Sequence, residues 1–290
     1  MLNTLIRSYS RRGIVLGLTS IGRDGEDRDI VTNADKPKIY IDEGTVFASS
    51  LLALCDVTKE ILMCTGISTP LGEVIIIRAR SGGYVQLAGP SINVQVINVC
   101  DALRSYGAET VIVDGAFARK TTASPAVTDT AILCTGAALN RNMQRVIEET
   151  CHVHELLKSE KINNELSGLT KGMALAMVNN DKTCRGFEQA ALTDSLANNL
   201  VREGIQEAII VAQDSSKFLV SSQTYQKLML RKIKLMVKES TRLIAVAINP
   251  VSANDYEFDS VEFKNALSGA ISTPVINVME GTNELYDLLD

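Results

Sequence analysis

From residue 91 onward, short apolar runs alternate with amphipathic stretches of helical period, and no other feature constrains the fold as strongly. The apolar runs are Thr110–Val113, Ala131–Cys134, Met173–Val178, Ala208–Ala212, Arg242–Ile248 and Val275–Val278. Helical periodicity places helices before and between them, over 92–106, 140–158, 186–202, 221–237 and 260–269. Strands separated by helices of roughly 10–20 residues are the mark of βαβ units and a parallel sheet. The expected fold class is α/β, a largely parallel sheet flanked by helices.

The first 90 residues read differently. A short amphipathic helix with Leu2, Leu5, Ile6 and Tyr9 leads through Arg11-Arg12-Gly13 into a strand, Ile14–Leu18, and then a polar loop, Thr19–Asp27. Between 38 and 90 the apolar runs are short: Lys38–Asp42, Thr45–Ala48, Ile61–Cys64, Glu73–Arg78 and Tyr84–Ala88, joined by Gly- and Pro-containing turns. Connections this short hold no crossover helix, which predicts antiparallel pairing, as a β-rich insertion or an antiparallel extension of the sheet. The expected organisation is the start of an α/β core at 1–37, the β-rich insertion at 38–90, and the rest of the core at 91–290 with a potential division near 160–172.

Charge and composition exclude several function classes. Acidic residues outnumber basic ones by 34 to 29, a net charge of −5, so no broad basic surface favours a nucleic-acid partner. No apolar run approaches the roughly 20 residues of a membrane helix, so no membrane partner is expected. The opening Met1–Arg7 lacks the apolar region of a secretory signal, which predicts a cytoplasmic protein. Cysteines 55, 64, 100, 134, 151 and 184 form no Cys-x-x-Cys pair and sit mostly in apolar stretches, where reduced, buried thiols are expected. His152 and His154 are the two histidines; on a helix their rings point about 200° apart, which argues against a shared metal. No G-x-S-x-G elbow supports a hydrolase.

The most pointed constellation is a strand ending in a carboxylate, Val111-Ile112-Val113-Asp114-Gly115. Nucleotide-binding α/β proteins hold Mg²⁺ with such an acid, although Asp114 also reads as the cap of a turn at Gly115. The following Arg119, Lys120, Thr121, Thr122 and Ser124 make an anion cradle or a solvated loop. Thr19, Ser20, Asp24 and Glu26 fit Mg²⁺ or phosphate contact from a loop after the first strand, or an exposed turn. Thr135 and Gly136, at a strand end with a helix start behind them, fit contact with a base or phosphate. Gly66, Gly82 and Gly83 read as turn glycines. The run Lys227–Lys238 reads as a helix with a core-facing stripe and a solvated basic face. No G-x-x-x-x-G-K-[ST] phosphate loop occurs in the sequence.

Several of these runs together resemble a known group. Gly17–Glu26, Lys36-Pro37, Thr69–Glu73, Leu87–Ser91, Val111–Ala116 and Ile132–Ala137 are similar to accessory proteins encoded beside adenosylcobalamin-dependent amino-acid aminomutases, the reactivase subunit of lysine 5,6-aminomutase. The resemblance implies a P-loop NTPase-like fold, ATP and Mg²⁺ as cofactors, and aminomutase subunits or a second reactivase subunit as partners. Met1–Ile6 would match the helix that follows the phosphate loop in that group, so the first strand and the loop are expected to be missing. Asp114 would match its Walker-B-like acid and Thr19–Asp24 its switch-like loop, with Thr19 beside Asp114 at the metal. No lysine matches the phosphate-loop lysine, so hydrolysis is expected to be impaired. No cobalamin-ligating D-x-H-x-x-G motif is present. An ATP-dependent small-molecule ligase or kinase-like enzyme and a non-catalytic α/β partner subunit remain alternatives, and a homo-oligomer stays open.

Overall fold

The computed structural model of the chain describes residues 1–24, 38–53, 55–115, 124–252 and 256–280. Helix α1 (Leu2–Arg11) turns through Gly13, whose φ of +70° suits glycine, into strand β1 (Leu16–Ser20). Next come β2 (Arg23–Asp24), β3 (Ile39–Ile41), β4 (Val46–Ser50), β5 (Lys59–Thr69), β6 (Gly72–Ala79), β7 (Gly83–Val85) and β8 (Leu87–Ala88). Helix α2 (Asn93–Ser105) and strand β9 (Thr110–Asp114) complete this part. Its main sheet has the order β5-β6-β4-β1-β9, with β4, β1 and β9 parallel and β6 antiparallel to its neighbours β4 and β5. The strands of 38–90 thus extend the sheet that β1 begins, while β3 with β7 and β2 with β8 form antiparallel two-stranded ribbons.

The rest of the chain builds two further sheets. Strand β10 (Ala131–Gly136) and helix α3 (Met143–Leu157) lead into β11 (Glu160–Lys161), α4 (Asn164–Leu169), β12 (Leu175–Val178), β13 (Cys184–Gly186), β14 (Leu192–Thr193) and α5 (Asp194–Arg202). Then follow β15 (Ile209–Ala212), a 3-10 turn at Ser215–Lys217, β16 (Phe218–Leu219), α6 (Ser222–Leu230) and β17 (Lys234–Val237). These form a sheet of order β11-β17-β15-β12-β13, in which β12 runs antiparallel to both of its neighbours, and a small β14/β16 ribbon. The chain then returns in β18 (Leu243–Asn249), α7 (Ser260–Ala270) and β19 (Val275–Asn277), which pair with β10 in a wholly parallel sheet, β10-β18-β19. The expected α/β class holds, with strands divided among several sheets where one was expected.

Both faces of the first sheet are covered at β1, β4 and β6, which is why these strands read as apolar runs, whereas the edge strand β5 stays largely exposed. On one face Val46, Ala48, Val74 and Ile76 pack with Val99 and Leu103 of α2. Gly17 permits that approach, since a Cβ there would come within 2.9 Å of Ala108 Cβ. On the other face Leu16, Leu18, Phe47, Ile75 and Ile77 pack with Ile6 of α1. The next residue, Leu5, contacts Ala245 and Ile276 of the third sheet, with Ile112 and Ile132 beside them. Helix α1 is therefore apolar on two sides and joins the first sheet to the third.

Two helices expected from periodicity are only half helical. Over 186–202 the helix begins at Asp194, where the Thr193 hydroxyl caps Leu196 N–H; residues 184–186 are instead β13, laid antiparallel on β12. Over 221–237 the helix ends at Leu230, Lys232 adopts φ +57°, and Ile233, Leu235 and Val237 then point inward at alternate positions. The Lys227–Lys238 run is thus half helix and half strand. Helix α4 and strand β11 lie in a stretch for which no element was expected. All six cysteines are free thiols, but only Cys100 is buried, and Cys64 and Cys134 are exposed.

The two histidines of α3 turn to different partners: His152 Nε2 lies 2.9 Å from Val220 O, and His154 Nε2 lies 2.9 Å from Thr273 Oγ1. His154 is buried, and its pKa falls below the ordinary 6.5 because of burial and then the nearby Lys158 ammonium. The unfolded chain therefore takes up this proton more readily. Stability from His154 is complete above about pH 6.5 and is lost as pH falls through the lower folded value. Urea midpoints should decline on acidification below pH 6.5, and a flatter decline in His154→Gln would trace that slope to this ring.

Candidate functional site

Strand β1 sits between β4 and β9. The chain leaves β1 toward β4 on one side, whereas β9, on the other side, is reached through α2. Adjacent parallel strands whose connections diverge in this way open a crevice outside their carboxyl ends. Ser20 and Asp114, the last residues of β1 and β9, are register partners there, and Ile21 N–H donates to Asp114 O at 2.9 Å.

Alternation along the strands decides which side chains share that crevice. Leu18 and Ile112 are partners on the α1 face, so Ser20 and Asp114, two residues further, face the same way. Thr19 and Val113 face α2, where Val113 packs with Ile21, Val96 and Cys100. The structure therefore places Ser20 beside Asp114 and sets Thr19 on the opposite face. Thr19 and Ser20 also belong to β1 itself, a correction to their expected place in a loop.

Thr19 is fully buried, and among the described residues its hydroxyl has no hydrogen-bond partner. Gly89 lies directly over it: a Cβ at Gly89 would stand 2.9 Å from Thr19 Oγ1 and 1.9 Å from Ser20 O. Ser20 Oγ donates to Gly22 O at 2.8 Å, and Gly89 N–H donates to the same carbonyl at 2.8 Å. The segment after β8 is thus laced across the end of β1. An unsatisfied buried hydroxyl costs about 1 kcal/mol or more, so Thr19→Val should raise the urea midpoint. An unchanged or lower midpoint would mean that Thr19 has a partner.

Helix α1 runs back along β1 after a short turn, which returns its N-terminal end to this same carboxyl edge. Its first turn carries no acidic residue and its N-cap makes no side-chain bond, leaving the positive end of the helix dipole uncompensated from within the helix. Cys134, near the end of β10, was not among the expected site residues. Desolvation pushes its thiol up to about 11, the terminal ammonium of Met1 opposes that rise, and the Asp114 carboxylate adds to it. Met1, Ile112 and Ile132 pack in one cluster, so the start of α1 and the ends of β9 and β10 lie near one another where the first and third sheets meet. The sequence signal for Cys134 was its position at a strand end, two residues beyond Ile132, which packs against α1.

Other expected site residues are placed elsewhere. Thr135 is turned toward α3, its hydroxyl 2.7 Å from that of Thr150. Gly136 is pressed against β18, where a Cβ would stand 2.1 Å from Asn249 O. Asp24 pairs through its backbone with Leu87 in the β2/β8 ribbon. Arg119 and Lys120 lie outside the described residues, as do Glu26, Thr121 and Thr122. Ser124 donates to the buried Asp214 at 2.9 Å, and the other Asp214 oxygen accepts Ser216 N–H at 2.9 Å. That hydroxyl ties the approach to β10 onto the second sheet.

Among the described residues, no group of three or more His, Cys, Asp or Glu side chains comes together to hold a metal, and no helix is long and apolar enough to cross a membrane. Comparison with protein-family models, with curated proteins and with solved structures finds no match for this chain.

Proposed function

We propose that the chain binds a magnesium nucleotide at the carboxyl edge between β1 and β9 and serves as a nucleotide-dependent accessory protein, of the reactivase type, for a cobalamin-dependent aminomutase. The observation that carries the nucleotide reading is the divergence of connections around β1, with Asp114 and Ser20 side by side and the positive end of α1 aimed at the same edge. One carboxylate suffices there, because Mg²⁺ is commonly held by one or two carboxylates, waters and the phosphates of its nucleotide. Asp114 would hold the ion and the nucleotide would supply the remaining oxygens, while Ser20, expected to contact the ligand, is fully buried with its hydroxyl donated to Gly22 O and supports the strand end instead. In this reading Thr19 supports the strand end from beneath Gly89. The aminomutase as partner, and the P-loop-like identity of the fold, rest on the sequence runs that resemble the reactivase group.

A nucleotide bound across β1 and β9 would favour one arrangement of the first and third sheets about α1, and a partner contacting that arrangement would be engaged or released with it. Calorimetry with MgATP, MgADP and MgGTP tests the binding step. Saturable heat with at least one of them is expected, with affinity lowered about tenfold in Asp114→Asn. No heat with any of the three would leave a non-catalytic partner subunit as the better description. Copurification with an aminomutase, and restoration of activity to an inactivated mutase, test the partner. Binding of nucleotide without either would favour a small-molecule ligase or kinase.

A further inference from the structure

A second candidate site lies on the α1 face of the first sheet and uses neither Ser20 nor Asp114. Between α1 and the β3/β7 ribbon is a cavity of about 600 Å³, within the usual range for small-molecule sites. Ile6 forms part of its apolar floor. Tyr40 and Tyr84, direct partners across the ribbon, form a wall with ring centroids 5.4 Å apart at 78°. Both rings are about half exposed, at 45% and 47%, so two large aromatic side chains stand side by side with much of their surface still open to a partner.

Among the described residues that line the cavity, Arg7 and Lys38 are the cations and Asp42 the carboxylate. Asp42 already accepts the Ser10 hydroxyl at 2.6 Å. Arg7 is exposed, and among the described residues its guanidinium makes no ion pair or hydrogen bond. The frame around these groups is held in place. Asn3 donates to Lys38 O at 2.8 Å and accepts Tyr40 N–H at 3.2 Å, so one side chain fastens α1 to β3. A Cβ at Gly82 would stand 2.7 Å from Tyr40 Oη, so the absence of a side chain there lets the ring take its position.

We propose that this cavity binds a planar aromatic ring carrying one anionic group, a carboxylate or a phosphate. The guanidinium of Arg7 receives the anion as a two-pronged donor, and the ring lies against Tyr40 and Tyr84. The ligand is a monocyclic or bicyclic aromatic acid or aryl phosphate, which the cavity volume accommodates.

Calorimetry on the full chain with 2-naphthoate and 2-naphthyl phosphate tests this, with cyclohexanecarboxylate as the non-planar control. One-to-one saturable binding of at least one naphthyl anion is expected, and comparison of the two identifies the anionic group. Arg7→Gln should weaken binding about tenfold and Tyr84→Ala about fivefold, with far-UV circular dichroism unchanged because both side chains are exposed. Asp114→Asn should bind the naphthyl anion as the parent chain does, which separates this site from the nucleotide site. No binding of either naphthyl anion, equal binding of cyclohexanecarboxylate, or undiminished binding by Arg7→Gln would each overturn the proposal.

Discussion

Gly89→Ala is expected to cost about 3 kcal/mol of stability, the upper part of the range for overpacking a closed site. The new methyl would stand 1.9 Å from Ser20 O, a backbone atom with no rotamer to escape into. Ser20 is held by the β1/β9 ladder, and the segment that would have to lift is tied down from both sides. Gly89 N–H donates to Gly22 O, and Gly22 N–H donates to Pro90 O. Something must therefore break, and the weakest link is the β2/β8 ribbon of two residue pairs. Urea unfolding should show the midpoint falling, and proteolysis should cut near residues 87–91 before global unfolding. A midpoint like that of the parent chain would show that this segment is not seated on β1. Because the same strap closes over Ser20 and Thr19, the variant should also lose nucleotide binding at the proposed site.

Phe47→Ala should be as damaging for a different reason. Phe47 is fully buried in β4, opposite Leu18 of β1 and Ile77 of β6, in the cluster that α1 covers. Truncation removes a ring from between three strands whose backbones are fixed by their hydrogen bonds, so the space closes poorly. A loss of about 3–5 kcal/mol follows from the lost transfer energy and the cavity. Phe47 is internal to the sheet, so the fraction of Phe47→Ala that remains folded should bind ligands as the parent does. A loss below about 1 kcal/mol would show that the α1 face is loosely packed.

Elements whose apolar residues follow one period throughout were legible in the sequence. Strands β9, β10, β15, β18 and β19 and helices α1, α2, α3 and α7 fall within two or three residues of their expected limits. Misreading came where one run serves two periods. Lys227–Lys238 satisfies a helical stripe as far as Leu230, but Ile233, Leu235 and Val237 alternate, and the vacancy between β11 and β15 is what makes them a strand. At Gly186, pairing with β12 outweighs the helical spacing of the residues that follow.

At the candidate site, Asp114 was legible because the three apolar residues Val111–Val113 followed by a carboxylate mark a strand end. The partner of Asp114 was not. Thr19 and Ser20 are adjacent hydroxyls of nearly equal chemistry, and the register of β1 on β9 puts one beside the acid and the other under Gly89 on the far side. Cys134 and the start of α1 come to Asp114 only through packing between sheets, and Tyr40 meets Tyr84 only through pairing of strands more than 40 residues apart.

The amino-acid sequence by itself determined an α/β chain, with buried strand runs, amphipathic helices and short antiparallel turns, because those are set by local periodicity and turn chemistry. Only the tertiary structure decided that the strands form three main sheets, that α1 joins two of them, and that Ser20 faces Asp114. Each of these depends on register and on contacts between distant segments, and a shift of one residue in register would exchange the two faces of the sheet while leaving every local pattern intact.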